Sequence, residues 1–439
     1  MELAGAKRPT SMALEEEIPA PAGRWKRLAI MAIVPVIFSM TDRARAEEIS
    51  FDQAIALGEH TPEVSGPRDT LEARESGDRQ IGGTAGGTHL IFMPGALLIE
   101  GKNEGFEMQA TITQGWSLRD LGGARRDAAR SERGVLQASV RAAALRSRLE
   151  AARRWIDLAT LSEIAEVMES RVRGLEELVE SRERALSAGA GTAAPLAEAR
   201  VMLAELRQSR LDLEGDEFAA ATQLSLSVGR APQAEPLRTA GPMPEPSLPE
   251  EPEIRDRMTD VEGAPDLVVE RLQETAARAR AVEASAQYAP VLTLGAQGEH
   301  SALGPWVIFG VTGLSFQGFG QKHRWSSFAE GEAAGASAAT TSARLRVHAE
   351  LEEAVHELRH SAEVVNVIEG QTLPALRALV ASLERAVALG EATRFALIAA
   401  RDRELAALGS AYRAHGAVTW AKVHLWLLLA ELAVGDGMP

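Results

Sequence analysis

The chain contains two copies of one segment, residues 175–200 and 376–401, displaced by 201 residues without a gap. In both copies a helical pattern runs into a glycine, Gly189 or Gly390, crosses a few small residues and resumes as helix. Glycine suits the left-handed turn that ends a helix, and a fixed-period repeat marks a duplicated structural unit. The sequence therefore predicts two long helical hairpins with these segments at their tips. The residue types shared by both copies are those of Leu175, Leu178, Val179, Ser181, Glu183, Arg184, Ala185, Gly189, Thr192, Leu196, Ala199 and Arg200.

Composition narrows the classes of function. The 439 residues include no cysteine, which excludes disulfides, thiolate metal sites and cysteine nucleophiles. The formal net charge of −15 argues against a nucleic-acid partner, because the phosphate backbone requires Lys and Arg. Aromatic residues make up only 4% of the chain, and Ala, Leu, Glu and Arg are abundant, as in long helices packed along narrow seams.

The first 46 residues resemble a leader with a signal peptide. A basic flank precedes the apolar run 28–40, which is too short to span a bilayer as a helix. The small residues Ala44 and Ala46 surround Arg45 in a cleavage-type pattern, so we expect a mature chain that starts near Glu47. The alternative is a disordered tail followed by a short buried helix.

The first repeat is predicted to occupy residues 47–228. It begins with a short helix at 50–59 that Ser50 caps, and a second helical piece follows at 63–80. The expected order then is strands at about 88–116 with a turn at 100–105, a long helix at 124–188, a tip at 189–192 and a return helix to 228. The eight prolines of residues 229–265 predict an extended connector.

The second repeat is predicted at 266–434, before a tail at 435–439. A helix to about residue 286 precedes strands at about 290–317, a long helix at 326–389, a tip at 390–393 and a return helix. Pro374 lies inside the long helix and is predicted to bend or loosen it. In the first repeat a coiled-coil-like seam is interrupted by one polar residue, Arg171. That seam consists of Leu161, Ile164, Met168, Leu175 and Leu178.

The strand segments alternate apolar and polar residues. Phe106, Met108, Ala110 and Ile112 alternate with polar residues, a pattern typical of a strand with one apolar face. Two hairpins are too few for a stable closed sheet, so other copies of the chain are needed to cover the edges. Aromatic residues concentrate here, as in the interface girdles of membrane barrels. The candidate girdle residues are Phe106, Trp116, Tyr288, Trp306 and Phe316. A small soluble β-sandwich is the alternative.

One motif is typical of a different kind of protein, a zinc hydrolase. His356, Glu357 and His360 match H-E-x-x-H, which on a helix places two imidazoles on one face for zinc and a glutamate beside them. The motif lies on a long helix whose apolar seam of Leu351, Val355 and Leu358 continues through it. No extended H-x-x-G-x-x-H pattern follows, and only scattered glutamates could supply a third ligand. We interpret it as a decoy on a solvated helix face and expect no catalytic residues, no metal and no cofactor. Incidental metal binding at the surface and a zinc hydrolase are the alternatives.

The duplicated order of strand hairpin, long helix, glycine tip and return helix resembles the TolC family of outer-membrane efflux ducts. Residues 50–64 are similar to the opening helix of that family. The tips also match, because Ala-Arg follows each tip glycine by ten and eleven residues, as at Arg200 and Arg401. Residues 116–125 and the GEATRF segment are similar to the branch that serves heavy-metal cation pumps of the RND type.

The resemblance implies a mainly α fold with a small membrane β-barrel portion, built as a trimeric β-barrel/α-barrel duct. Its partners would be two further copies in a homotrimer, outer-membrane lipid, a periplasmic adaptor (membrane fusion) protein and an inner-membrane pump. The helical part would lie in the periplasm. Adaptor docking would involve tip residues Gly189, Gly191, Thr192, Arg200, Gly390, Thr393 and Arg401. Pro195 and Ala396 stand where family members often carry an Asp that narrows the closed tip. A periplasmic coiled-coil adaptor is the alternative, but the sequence lacks an evident lipoyl-like domain.

Overall fold

The computed structural model of the chain describes residues 47–78, 88–99, 102–232, 236–300, 304–316 and 321–435. The predicted leader at 1–46 lies outside these ranges, as does most of the predicted tail at 435–439. The described residues belong to one compact unit. The fold is mainly helical, which confirms the predicted class.

The described residues of the first half form three strands and four helices. They are β1 (Glu48–Ser50), α1 (Phe51–Gly58), α2 (Pro62–Asp78), β2 (Thr88–Ile99), β3 (Lys102–Ser117), α3 (Leu121–Ser187) and α4 (Ala193–Ser227). Ser50 caps α1 through a capping box with Gln53, as its position before the helix suggested. β3 begins at Lys102, inside the segment 100–105 that was predicted as a turn.

The second half repeats the same order after the proline-rich segment. Its elements are β4 (Arg238–Ala240), α5 (Glu251–Thr259), α6 (Pro265–Gln287), β5 (Val291–His300), β6 (Val307–Ser315), α7 (Gln321–Val367), a π-helical turn (Ile368–Thr372), α8 (Leu373–Ala388) and α9 (Arg394–Gly435). The π turn comes just before Pro374, which lacks the N–H that a continuous α-helix would use. The loosening predicted for this helix therefore lies at the π-helical turn, residues 368–372.

The segment 229–265 differs from the extended connector that its prolines suggest. β4 pairs in parallel with β1, and α5 buries Ile254 and Met258. These two side chains are four residues apart on one face of α5, and they join a core cluster with Leu351 of α7 and Leu425 of α9. Proline composition alone does not reveal such a short amphipathic helix.

Four strands form one antiparallel sheet in the order β2-β3-β5-β6. Within the described ranges, β2 and β6 are paired on one side only. The register pairs even-numbered with even-numbered residues in nearly the whole sheet, for example Ile112 with Ala296. The even-numbered side chains of all four strands therefore share one face. Large apolar residues exposed on this face, or directly flanking its strands, are Leu90, Phe92, Ile112, Trp116, Leu292, Leu294, Trp306, Ile308, Leu314 and Phe316.

The long helix α3 organises the helical part. It contacts α4, α6 and α9 along its length. The fully buried Trp155 of α3 donates a hydrogen bond from Nε1 to the Ile49 carbonyl at 2.8 Å and meets Phe51 edge-on. Gly416 of α9 crosses α3 so closely that a Cβ there would lie 2.3 Å from Thr160 Oγ1. The two repeats are thus packed against each other and do not form separate bodies.

Candidate functional site: the hairpin tips and the strand face

Each tip turn is a Schellman motif with glycine in the left-handed conformation. Gly189 has φ 72°, and Gly390 has φ 76°. In the first tip the Gly189 N–H donates to the Leu186 carbonyl at 3.0 Å, and the Ala190 N–H donates to the Ala185 carbonyl at 2.9 Å. The second tip repeats both bonds from Gly390 and Glu391, at 3.1 and 2.8 Å. The duplicated sequence therefore forms the same turn twice.

The tips have room for a partner. A Cβ added at Gly189 or Gly390 would meet nothing within 4 Å. Residues 186–194 are exposed without interruption, and so are residues 388–391. These backbone turns contribute little to the core, so their side chains are free for recognition.

An ion pair closes the base of each tip. Arg200 Nη2 lies 2.7 Å from Glu183 Oε1. In the second copy Arg401 Nη2 lies 2.7 Å from Glu384 Oε1. Each pair joins the two arms of one hairpin across 17 residues of sequence. All four side chains are about half exposed, so these pairs fix geometry more than they stabilise the fold.

The two tips differ at the start of the return helix. Thr393 Oγ1 accepts a hydrogen bond from the Ala396 N–H at 3.2 Å, an N-cap. Thr192 makes no such bond, because the residue at the same place is Pro195, which has no N–H. The two positions where family members often carry Asp thus have unequal roles in the turn. The third predicted tip glycine, Gly191, is exposed beside the Ala185 backbone.

Phe395 beside the second tip contacts Arg182 beside the first tip. The sequence alone did not predict this contact. The Arg182 guanidinium lies 5.6 Å from the centre of the Phe395 ring. Phe395 and Ile398 of α9 also pack on the cluster formed by Leu175, Leu178 and their neighbours in α3 and α4. The signal that could have found this contact is the aromatic ring itself, because aromatic residues are rare in the helical segments.

Farther from the tips, α3 and α9 are joined by Arg171 and Asp402. A groove of about 480 Å³ lies on one side of this pair and a second of about 330 Å³ on the other. The polar residue that interrupts the predicted seam therefore has a charged partner from the other repeat.

Burial affects several carboxyl groups of α3 and α4. Desolvation raises the pKa of Asp157, Glu163 and Glu217 above the ordinary values. A hydrogen bond from Ser162 to Glu217 acts in the opposite direction. The exposed Glu251 of α5 shows the reverse, because a hydrogen bond from Arg255 and the charge of Arg359 lower its pKa.

The predicted girdle aromatics do not all lie on the strands. Trp116 and Phe316 are exposed at the helical end of the sheet, and Trp306 is exposed towards the far end, where it stacks on His300 at 5.2 Å. Tyr288 lies at the C-terminal end of α6 and is half-buried. Phe106 is on β3, and its side chain lies outside the described part of the structure.

The H-E-x-x-H residues lie in the C-terminal part of α7. His356 and His360 are exposed, and Glu357 is half-buried. Among the residues that the structure describes, no group of three or more His, Asp or Glu side chains is arranged to hold a metal ion.

None of the helices in the described ranges is both long enough and apolar enough to cross a membrane.

Comparison with known proteins gives matches in structure alone. No family profile matches the sequence. No curated protein matches it either. The outer membrane protein VceC from Vibrio cholerae superposes with a TM-score of 0.69 at 17% identity, over 86% of this chain and 95% of VceC. The outer-membrane channel OprN gives a TM-score of 0.71 at 15% identity, over 88% and 93% of the two chains.

CusC, whose structures concern folding and transmembrane channel formation, gives a TM-score of 0.70 at 14% identity, over 90% of this chain and 96% of that one. Identity this low supports a statement about fold, and the similarity to the heavy-metal branch remains a prediction. The matches span almost the full length of the solved chains. The chain therefore has the TolC-type fold of outer-membrane channel proteins.

Proposed function

We propose that this protein is the passive channel subunit of a tripartite efflux system in the outer membrane. The observation that carries the proposal is the exposed apolar face of the sheet. Side chains such as Leu90, Ile308 and Phe316 are 74%, 77% and 52% exposed. A continuous apolar face of this kind marks an interaction site in a soluble protein and is typical of lipid contact in a membrane barrel.

Strand length and the open edges support the same proposal. β2, β5 and β6 have 12, 10 and 9 residues, close to the roughly 9–11 that a tilted strand needs to cross a bilayer. An unpaired edge strand invites pairing with another chain. Three copies, each giving four strands, would join β6 of one copy to β2 of the next and form a closed barrel. The helices would then extend into the periplasm.

The tips are the proposed docking site for a periplasmic adaptor. They are exposed, they lie far along the helices from the sheet, and they carry the same turn and the same ion pair twice. An inner-membrane pump would supply the energy. Heavy-metal cations and small toxic compounds are the candidate cargo, because the sequence is similar to the metal-pump branch at residues 116–125 and at the second tip.

Fractionation tests the proposal. We expect heat-labile trimers in the outer-membrane fraction and loss of export in a deletion strain. A soluble periplasmic monomer would contradict the channel and favour a periplasmic adaptor or structural protein. Zinc-dependent peptide cleavage that is lost in Glu357→Gln would favour the hydrolase.

A substitution pair tests the tips separately. Gly189→Arg and Gly390→Arg place a bulky charge in open space and should reduce export at normal trimer level. The matched variants Gly189→Asn and Gly390→Asn keep a residue that tolerates the left-handed turn, and they should retain export. Normal export by the arginine variants, with normal trimer level, would refute docking at the tips.

A further inference from the structure

The two histidines of the H-E-x-x-H motif lie one above the other on α7. They are four residues apart on a continuous helix, which places both side chains on one face. The rings are almost parallel, with an interplanar angle of 9° and centroids 6.2 Å apart. Histidines four residues apart on a helix can bind one metal ion together, because both imidazoles lie on the same face.

This face of α7 points away from the core. Leu351 and Ala354 are buried at 2% and 0% exposure, and the half-buried Leu358 also packs on the core. At about 100° per residue, His356 and His360 lie on the opposite side of the helix and are exposed. In the part of the chain that the structure describes, neither imidazole takes part in a hydrogen bond or an ion pair.

Free carboxylates flank the two rings. Glu353 lies one turn before His356, and Glu363 lies one turn after His360. Both are exposed, and neither side chain is paired with a cation within the described ranges. The order Glu353, His356, His360, Glu363 has spacings of three, four and three residues, so all four share one stripe. Their negative charge attracts a cation to the imidazoles.

We propose that His356 and His360 chelate one divalent transition-metal ion of the class that imidazole prefers, such as Zn²⁺, Ni²⁺ or Cu²⁺. The two ring nitrogens bind the ion directly, and water fills the remaining positions. Since no third protein ligand is arranged around the pair in the described residues, the site binds metal without forming a closed structural site or a hydrolase centre. Metal binding by this pair requires only α7 and does not rest on the proposed channel function.

Calorimetric titration of the full-length protein with Zn²⁺ alone tests this inference. The wild-type protein should bind one ion per chain at this site. His356→Ala and His360→Ala should each weaken this binding at least about tenfold, since even the loss of an outer partner of a metal ligand costs roughly 10–100-fold. Both positions are exposed, so neither change should disturb folding, which circular dichroism checks.

Two control variants separate this site from its alternatives. His348→Ala removes a histidine of the same helix that has no histidine four residues away, and it should leave the affinity unchanged. Glu357→Gln should also leave it unchanged, because the two imidazoles are the ligands. Wild-type protein without Zn²⁺ binding, or equal binding by wild type and both alanine variants, would overturn the proposal. A loss of affinity in Glu357→Gln as large as in the alanine variants would overturn the two-histidine assignment.

Discussion

Arg171 and Asp402 form a two-point ion pair between the repeats. Arg171 Nε lies 2.8 Å from Asp402 Oδ1, and Nη2 lies 3.2 Å from Oδ2. About a fifth of each side chain is exposed, 21% and 20%. Planar guanidinium and carboxylate groups in this geometry restrict the two helices in both distance and rotation. The pair therefore restrains the register of α3 against α9.

Asp402→Asn should lower the free energy of unfolding by about 1–3 kcal/mol, between the values for exposed and fully buried pairs. The physical reason is that Arg171 keeps its charge in a half-buried seam without a counter-ion. Thermal unfolding followed by circular dichroism measures the change. Glu183→Gln is the matched control, because its exposed pair with Arg200 should contribute about 1 kcal/mol at most. An equal decrease in the free energy of unfolding in both variants would show that the Arg171–Asp402 pair contributes no more than an exposed ion pair.

Gly416→Ala should destabilise the protein by about 1–3 kcal/mol through overpacking. The new Cβ would lie 2.3 Å from Thr160 Oγ1 and 3.0 Å from Cγ2. Thr160→Ala removes both atoms and should partly restore the melting temperature of the double variant. Gly409→Ala in the same helix has nothing within 4 Å and should stabilise by up to about 1 kcal/mol. A melting temperature that rises in both glycine variants would contradict the close crossing.

Trp155→Phe should lower the free energy of unfolding by about 2–4 kcal/mol, because it removes a hydrogen bond and leaves a cavity. The indole N–H is the donor to the buried Ile49 carbonyl, so the change leaves that oxygen without this donor. Denaturant titration gives the free energy. Trp426→Phe is the control, because Trp426 is 38% exposed and should change stability by about 0.5 kcal/mol or less. A small decrease in the free energy of unfolding for Trp155→Phe would mean that the hydrogen bond from Trp155 to Ile49 does not stabilise β1.

The pH dependence of stability should change when the partly buried carboxyl groups of Glu163 and Glu217 are neutralised. Burial raises the pKa of Glu163 and Glu217 in the folded protein above the ordinary value of 4.5. The folded state then binds more protons than the unfolded state, so these groups reduce stability as the pH rises from about 4.5 through the raised values. Glu163→Gln with Glu217→Gln should therefore raise the melting temperature at pH 7 more than at pH 4.

Glu251→Gln is the control, because its melting temperature should change in the opposite direction at pH 7. Its pKa is lowered by Arg255 and Arg359, so the carboxylate contributes stability above its ordinary pKa and loses it as the pH falls. The melting temperature of Glu251→Gln should thus fall at pH 7 relative to wild type, with a smaller difference at acidic pH. Parallel pH profiles for wild type and both variants would contradict the assigned shifts.

The local elements were readable from the sequence because their signals are local. The Ser50 cap, the glycine ends at Gly189 and Gly390 and the interruption before Pro374 each depend on residues a few positions apart. The helix α5 was missed because prolines dominate its surroundings, and its apolar pair acquires meaning only against α7 and α9. The partner of Arg171 was missed because it lies 231 residues away.

Sequence by itself determined the duplicated order, the long helices, the two tip turns and the alternation of each strand. These properties follow from backbone conformation and from periods of two and 3.6 residues, which one segment carries alone. Only the tertiary structure decided that the even-numbered faces of four separate strands form one exposed apolar surface. It also decided that Asp402 neutralises Arg171 and that Thr160 meets Gly416. Pairing across hundreds of residues depends on the register and packing of whole elements, which no single segment encodes.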